Sequence, residues 1–526
     1  MTTTPNLLII VNMTTEYRMR ETTRCFSLVF LSLLLLPLSA SIACICLIVR
    51  EICPRRTLDV GPRGRLPRKT ILVTGIGMAK GLALARSFYL SGHRVIGADF
   101  ESHGSPCPGR YSRSLSAFHR LPASESNECS EAYVRRLIGI VKTERVDIWV
   151  SCSGVANAIQ DANAKESIEH HTSCKCIQFD IKTTSALHNK RSFMEECEHR
   201  GLPVPETHEV KSNHDIFQTL LASKTSTPER RFILKPIEID DINRGNMTLL
   251  PLPSEEETKL YLSQLPISDS NPWILQQFIP GGEEYCTHSL VVRGEVKCFV
   301  ACPSAELLMH YKPLPSNSPL WRAMFAFTVK FVRRSPSPKD MTGHLSFDFM
   351  ASDGVVSSCG IEKDIYAIEC NPRAHTAVVL LAQRGLEMEA MTNAYLSVIN
   401  NNTDLKEMEI EFANGKGLQT GTRDSLVIPP ANVQPRYWIG HDLVSLFIHP
   451  TLLLCLGLVE FSRVSSDILE FSRHLFTWKE GIFETWDPLP ALFLYHLYWP
   501  SVILSAWWHG RRWSRVNVST TKMFTC

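Results

Sequence analysis

The sequence predicts a multidomain α/β and α+β protein with an N-terminal transmembrane helix and an apolar helical C-terminal region. Three observations predict it. Residues 69–101, KTILVTGIGMAKGLALARSFYLSGHRVIGADFE, read as strand, glycine turn, helix and strand, a βαβ unit. Beyond residue 183, several short apolar runs end in isolated charged side chains. Residues 26–49, FSLVFLSLLLLPLSASIACICLIV, contain no charge and are long enough to cross a bilayer. At 526 residues, 44% hydrophobic and 21% charged, the chain can bury more than one core. A net charge of +2 gives no electrostatic case for nucleic acid.

From the N-terminus, residues 1–25 form a tail, 26–49 the membrane anchor and 50–69 a basic linker. Arg50, Arg55, Arg56, Arg63, Arg65, Arg68 and Lys69 follow the apolar run. Arg18, Arg20 and Arg24 precede it, diluted by Glu16 and Glu21. The heavier basic flank places the bulk of the chain in the cytoplasm, as a single-pass membrane protein. A cleaved leader ending near Ala40 or Ala43 is the alternative, but the apolar run is long for one. The seventeen cysteines include no CxxC pair, and Cys44/Cys46 and Cys174/Cys176 are spaced too tightly for a zinc knuckle. They read as reduced thiols.

Residues 70–182 form the first globular domain. Gly75 and Gly77 open a helix with Gly81 in its first turns, and Asp99 ends the second strand. That pattern is a loose variant of a dinucleotide site. None of the twelve tyrosines has lysine four residues on, as a short-chain dehydrogenase would need. A glycine turn packing a helix against a strand, in a domain that holds substrate, remains the other reading.

Residues 183–385 carry the chemistry. Lys190 starts a helix, and Lys235 ends the strand of FILKP. QQFIPGGEE, residues 276–284, is an apolar hinge followed by acids. Arg293-Gly294-Glu295 turns a hairpin. Asp348 shares one strand face with Ser346 and Met350, and Glu369 shares another with Asn371 in YAIECNPR. Two carboxylates and an amide oxygen are a hard-ligand set for Mg²⁺ or Mn²⁺. Two lysines can hold phosphates as point charges, and Arg373 is placed to meet an anion.

Taken in this order, the features resemble the ATP-grasp superfamily over roughly residues 70–385, most specifically in ILKP and IECNPR. The resemblance implies a Rossmann-like pre-ATP-grasp domain followed by two α+β subdomains clasping ATP. It implies that Lys190 and Lys235 contact the phosphates and that Gln276, Gln277, Phe278 and Ile279 form the adenine hinge. Glu283, or else Glu284, would hold the ribose. Asp348, Glu369 and Asn371 would ligate the metal, and Arg373 and His344 would stand near the acceptor oxygen. The lid after Lys235, IEIDDINRGNMT, departs from the usual glycine- and serine-rich loop, with Gly245 its one glycine and Arg244 a substitute phosphate contact.

A narrower similarity runs from about residue 70 to the C-terminus. TGIGMAKGLALAR, TGHLSFDF, ECNPRAHTAVV and TWDPLPALFLYHLYWP resemble mycosporine-glycine synthases. Those enzymes join an amino acid, typically glycine, to 4-deoxygadusol. The resemblance implies ATP-dependent C–N ligation between a small-molecule acceptor and an amine. A general carboxylate–amine ligase making an amide or dipeptide is the alternative, and a tethered nucleotide-binding protein without turnover is a third. Residues 386–526 are apolar at 442–460 and 489–508, each interrupted by histidine and proline, and fit buried or membrane-surface helices.

Overall fold

The computed structural model describes residues 5–52, 67–101, 104–122, 127–154, 157–226, 230–237, 247–304, 309–352, 365–382, 385–399 and 426–525. The lid of IEIDDINRGNMT, with Arg244 and Gly245, lies almost wholly outside them.

The first domain is a five-stranded parallel sheet. Its strands are β1 (Thr70–Thr74), β2 (Arg94–Phe100), β3 (Ala117–Leu121), β4 (Ile148–Val150) and β5 (Lys175–Ile177), in the order β3-β2-β1-β4-β5. Strand alternation sends Ile71 and Val73 to one core and Leu72 to another, with Tyr133 and Trp149 on the second side. Helices Ala79–Leu90, Asn127–Glu144 and Ala158–His171 connect and cover the strands, so both faces are dry.

Two α+β lobes follow, in the order expected from the sequence. The small lobe pairs β6 (Thr207–Val210), β7 (Phe232–Pro236) and β8 (Trp273–Gln277) antiparallel, in the order β6-β8-β7. Helices Asn213–Ser226 and Glu255–Ser263 belong to this lobe, whose core includes Val210, Phe232, Trp273 and Leu275. The large lobe is built on β9 (Glu283–Val292), β10 (Glu295–Pro303), the short β11 (His310–Tyr311), β12 (Gly343–Ala351) and β13 (Ile365–Asn371). Its sheet runs β10-β9-β12-β13 and is antiparallel. The expected hairpin turns at Arg293 and Gly294, both at positive φ, the primed geometry that suits sheet twist. Helix Pro319–Arg333 covers one face through Trp321, Phe325, Phe327 and Phe331 against Phe347 and Phe349.

The C-terminal region is woven into this body. Strands β14 (Arg436–Tyr437) and β15 (Lys479–Glu480) form a sheet with β11 in the order β11-β14-β15. Arg86, in the helix after the glycine turn, donates to Asp487 at 2.9 Å, and both are buried. Tyr111 stacks on Phe493 at 3.6 Å between ring centroids. A last hairpin, β16 (Trp513–Asn517) and β17 (Lys522–Thr525), returns to the parallel domain. Thirteen of the described cysteines are free thiols.

The N-terminal helix runs Pro5–Ile52, so most of the segment expected as a tail is helical as well. Arg24 lies over the Trp513 ring and donates to the Trp513 and Ser514 carbonyls, and Phe26 meets Trp507 edge to face. Ser32 donates to the Tyr495 carbonyl. Beyond it, Leu33, Leu34, Leu38, Ile42, Ile45 and Ile48 are exposed. Two stretches, Glu21–Ile52 and Leu489–Trp508, are long and apolar enough to cross a membrane.

Candidate active site

One face of the large-lobe sheet carries the site. Strand pairing sets Asp348 opposite Glu369 and opposite Cys286, and sets Met350 opposite Glu284. Paired and alternate residues share a face. Ser346, Asp348, Glu369, Asn371 and Glu284 therefore all point the same way. Asn371 donates its amide to Asp348 at 3.1 Å, and its oxygen accepts from Arg373 at 2.9 Å. Burial drives the Asp348 carboxyl well above the usual range, and the charges of Glu369 and Glu284 push it further. Asp348 and Glu369 are half-buried and Glu284 is exposed at the edge of the same face, and three acids gathered so closely call for a cation. The donor set of carboxylates and one amide oxygen fits Mg²⁺.

Lys235 of the small lobe and Lys190, whose helix packs on the large-lobe core through Phe193, supply the cations. Lys235, at the end of β7, donates to the Gln276 side chain at 3.1 Å. Lys190 starts helix Lys190–His199 and donates to the Pro236 carbonyl at 3.1 Å. Burial lowers the Lys235 ammonium and the charge of Lys190 lowers it more, while Glu369 and Glu284 oppose that shift. Both lysines and all three acids thus meet at the cleft between the lobes.

The hinge is partly committed to the fold. Gln277 donates its amide to the Glu206 carbonyl, and Phe278 donates to the Arg231 carbonyl. Gln276 is buried and donates its side-chain amide to Thr207, and Ile279 is buried as well. Of the two acids after the hinge, Glu284 shares the site face. Glu283 points to the opposite face and accepts from the Tyr285 hydroxyl.

His344 stands on the site face but four residues along β12 from Asp348, about 13 Å by strand rise. It is buried, shares a hydrogen bond of 2.7 Å with the Tyr395 hydroxyl, and is pushed by burial down to about 3. It is a neutral imidazole at physiological pH. Around it lie residues that sequence reasoning did not single out. The His288 ring centroid is 5.4 Å away, and the buried Nε2 of His288 has no hydrogen-bond partner. His375 donates its amide to His288 Nδ1. Lys80, from the helix after the glycine turn, is buried and donates to the Ser153 and Ala374 carbonyls at 3.1 and 2.9 Å. Burial lowers its ammonium to about 7, aided by the Arg373 charge. The signal that could have found Lys80 was its place in the first helical turn after Gly75-x-Gly77.

The glycine turn is closed to a dinucleotide. A Cβ at Gly75 would lie 2.4 Å from the Cys152 carbonyl oxygen, and one at Gly81 would lie 2.3 Å from that of Gly75. The Gly77 amide donates to Asp99 at 2.6 Å. The Ala79 amide, at the helix N-terminus, donates to the Ser519 carbonyl. The amides that would cradle a pyrophosphate are thus engaged by an acid and by the C-terminal chain.

No protein-family model matches the chain, and no curated protein matches it. Solved structures do. N5-carboxyaminoimidazole ribonucleotide synthetase in its ADP complex aligns at 15% identity over 64% of this chain and 78% of its own, with a TM-score of 0.44. The biotin carboxylase domain of Hydrogenobacter thermophilus 2-oxoglutarate carboxylase aligns at 12% identity over 68% and 72%, with a TM-score of 0.45. N5-carboxyaminoimidazole ribonucleotide synthetase from Thermotoga maritima aligns at 13% identity over 62% and 76%, with a TM-score of 0.41.

Proposed function

We propose that the chain is a Mg²⁺-ATP-dependent ligase that activates an acceptor oxygen by phosphorylation and joins the activated carbon to an amine. One observation carries this reading. Asp348, Glu369, Asn371 and Glu284 share a sheet face, and Lys235 from the small lobe meets them there together with Lys190. Lys190 and Lys235 hold the phosphates, and Glu284 takes the ribose in preference to Glu283. Asp348, Glu369 and Asn371 would hold Mg²⁺, which would supply charge neutralisation at the phosphates. Arg373 lies next to that set and meets the transferred phosphoryl group. The γ-phosphoryl passes to the acceptor oxygen and ADP forms. The amine then adds, and phosphate leaves with the oxygen.

The finer reading is that the acceptor is 4-deoxygadusol and the amine is glycine. Its support is the sequence similarity together with where those stretches lie. TGIGMAKG, TGHLSFDF and ECNPRAHTAVV come from distant parts of the chain, yet Lys80, His344 and Arg373 from these three stretches gather beside His288 and His375. For 4-deoxygadusol, a vinylogous acid, the activated species is an enol phosphate. A carboxylate acceptor would give an acyl phosphate and an amide in the same cleft. The test is ADP release by purified enzyme with Mg²⁺-ATP and glycine, with 4-deoxygadusol or a panel of carboxylates. The finer reading requires ADP and a new ultraviolet chromophore in equal amounts. ADP release with carboxylates alone leaves the general ligase standing, and none with any acceptor refutes both.

The apolar helices support a membrane-attached enzyme. Besides the N-terminal helix, the amphipathic helix Phe461–Thr477 leaves Phe461, Leu469 and Phe476 at least 70% exposed on one side. We assign these surfaces to a bilayer, with the catalytic body in the cytoplasm.

A further inference from the structure

Three residues outside the nucleotide cleft converge in the C-terminal region. His310 comes from β11, Asp442 ends helix Ile439–Asp442, and His474 lies near the end of helix Phe461–Thr477. All three are buried, Asp442 completely. His310 Nε2 lies 2.8 Å from one Asp442 oxygen, and His474 Nδ1 lies 2.7 Å from the other. The three ligand atoms all fall within 4.8 Å of one another.

The protons at His474 are the informative detail. Its Nδ1 faces Asp442, and its Nε2 lies 3.0 Å from a Glu470 oxygen. A neutral imidazole has a single N–H. If that proton points at Glu470, the Nδ1 lone pair stands against a carboxylate oxygen, and a cation has to lie between them. A second imidazole proton would do this, and so would a metal ion. The surroundings favour the metal. The ligands come from three separate elements of the chain. The outer nitrogen of His474 is held by a carboxylate, the usual outer partner of a metal-bound histidine. A tetrahedral ion with bonds near 2.0–2.1 Å sets ligand atoms about 3.3 Å apart, which small side-chain rotations reach from here. His441, adjacent to Asp442, has its ring centroid 6.0 Å from that of His310 and is a further imidazole close by.

We propose that His310, Asp442 and His474 bind a structural zinc ion. Two neutral imidazoles and one carboxylate suit Zn²⁺ better than the harder Mg²⁺ expected at the nucleotide site. The ion would clamp the helices at 439–442 and 461–477 to the β11-β14-β15 sheet. It does not depend on the ligase reading.

The test uses the full chain, purified in detergent without a histidine tag, dialysed against zinc and then against buffer, and assayed by elemental analysis. The expected result is about one zinc per chain. Asp442→Asn and His474→Gln should each lose it, while Glu369→Gln should keep it. Should those variants not fold, cobalt exchange into the native chain decides: tetrahedral ligand-field bands in the visible support the site, and their absence refutes it. A native chain that binds less than about a tenth of an equivalent of zinc overturns the proposal, as does full zinc retention in both variants.

Discussion

Asp348 and Glu369 are direct cross-strand partners, one on β12 and one on β13, with the Asn371 amide donating to Asp348 at 3.1 Å. Both are half-buried, and paired acids on one face repel each other, so the pair is costly without a cation and strong with one. Glu369→Gln removes charge from the metal set while keeping volume. ADP formation should fall at least about a hundredfold, the scale for removing one preorganised electrostatic group. Thermal stability without ligands should hold or rise. Steady-state ADP release and a melting curve check both.

The same pair predicts a proton linkage. Asp348 is raised well above the usual carboxylate range, mainly by burial and then by Glu369. A raised carboxyl is disfavoured in its ionised form, so folding loses stability as pH climbs from the unfolded value to the folded one. Metal binding requires the ionised form. Mg²⁺ affinity should therefore increase with pH through that range and then level off, with proton release on binding. Calorimetry in buffers of different ionisation enthalpy measures the released proton.

Lys235→Ala should weaken ATP binding and slow turnover by about 2–4 kcal/mol combined, the scale for one fixed charge beside anionic oxygens. The Gln276 side chain that Lys235 now holds would lose its donor. Nucleotide titration and single-turnover phosphoryl transfer separate the two effects. Unchanged values in both would reduce Lys235 to a strand-end residue.

Lys80 gives a pH-dependent signature. Its ammonium is lowered by burial to about 7. The protonated form is thus penalised in the folded state. The penalty is complete below that folded value and fades as pH rises from there towards the unfolded value of about 10.4. The melting temperature of Lys80→Met minus that of the native chain should therefore fall across that interval. Acceptor-dependent ADP release should also drop in this variant, while nucleotide affinity stays intact.

How far the residues alone could lead is plain at Lys235, Asp348, Glu369 and Asn371. Each sits at the end or on one face of a short strand, where period-2 alternation determines direction. The same alternation, applied without the register, could not separate Glu283 from Glu284. That choice depends on Glu284 standing opposite Met350, which only strand pairing reveals. Lys80, His288 and His375 were hidden for a different reason. They lie far apart in sequence and meet only because the parallel domain packs onto the large-lobe sheet. The C-terminal region was least legible, since apolar runs look alike whether buried or exposed. Its contacts with Arg86, Tyr111 and Ala79 carry no local signal.

Membrane attachment should survive loss of the N-terminal helix in part. A chain lacking residues 1–52 keeps the exposed Phe461, Leu469 and Phe476. It should remain partly bound to liposomes, and adding Phe461→Ser, Leu469→Ser and Phe476→Ser should release it. Flotation assays with and without these changes decide. Complete release by the truncation alone would confine attachment to the first helix.

The seat of Arg24, Phe26 and Ser32 on the C-terminal helix and hairpin has a topological corollary. The chain touches the body through Arg24, Phe26 and Ser32 before the largely exposed run at 33–52, where Ala43 is buried, and lies in the body again at residue 67. If that run threaded a bilayer while residues 24–32 stayed seated, the polypeptide would surface on the far side and have to come back. The intervening residues carry Arg55, Arg56, Asp59, Arg63 and Arg65, and charges of that density do not recross hydrocarbon. Seated and threaded are mutually exclusive.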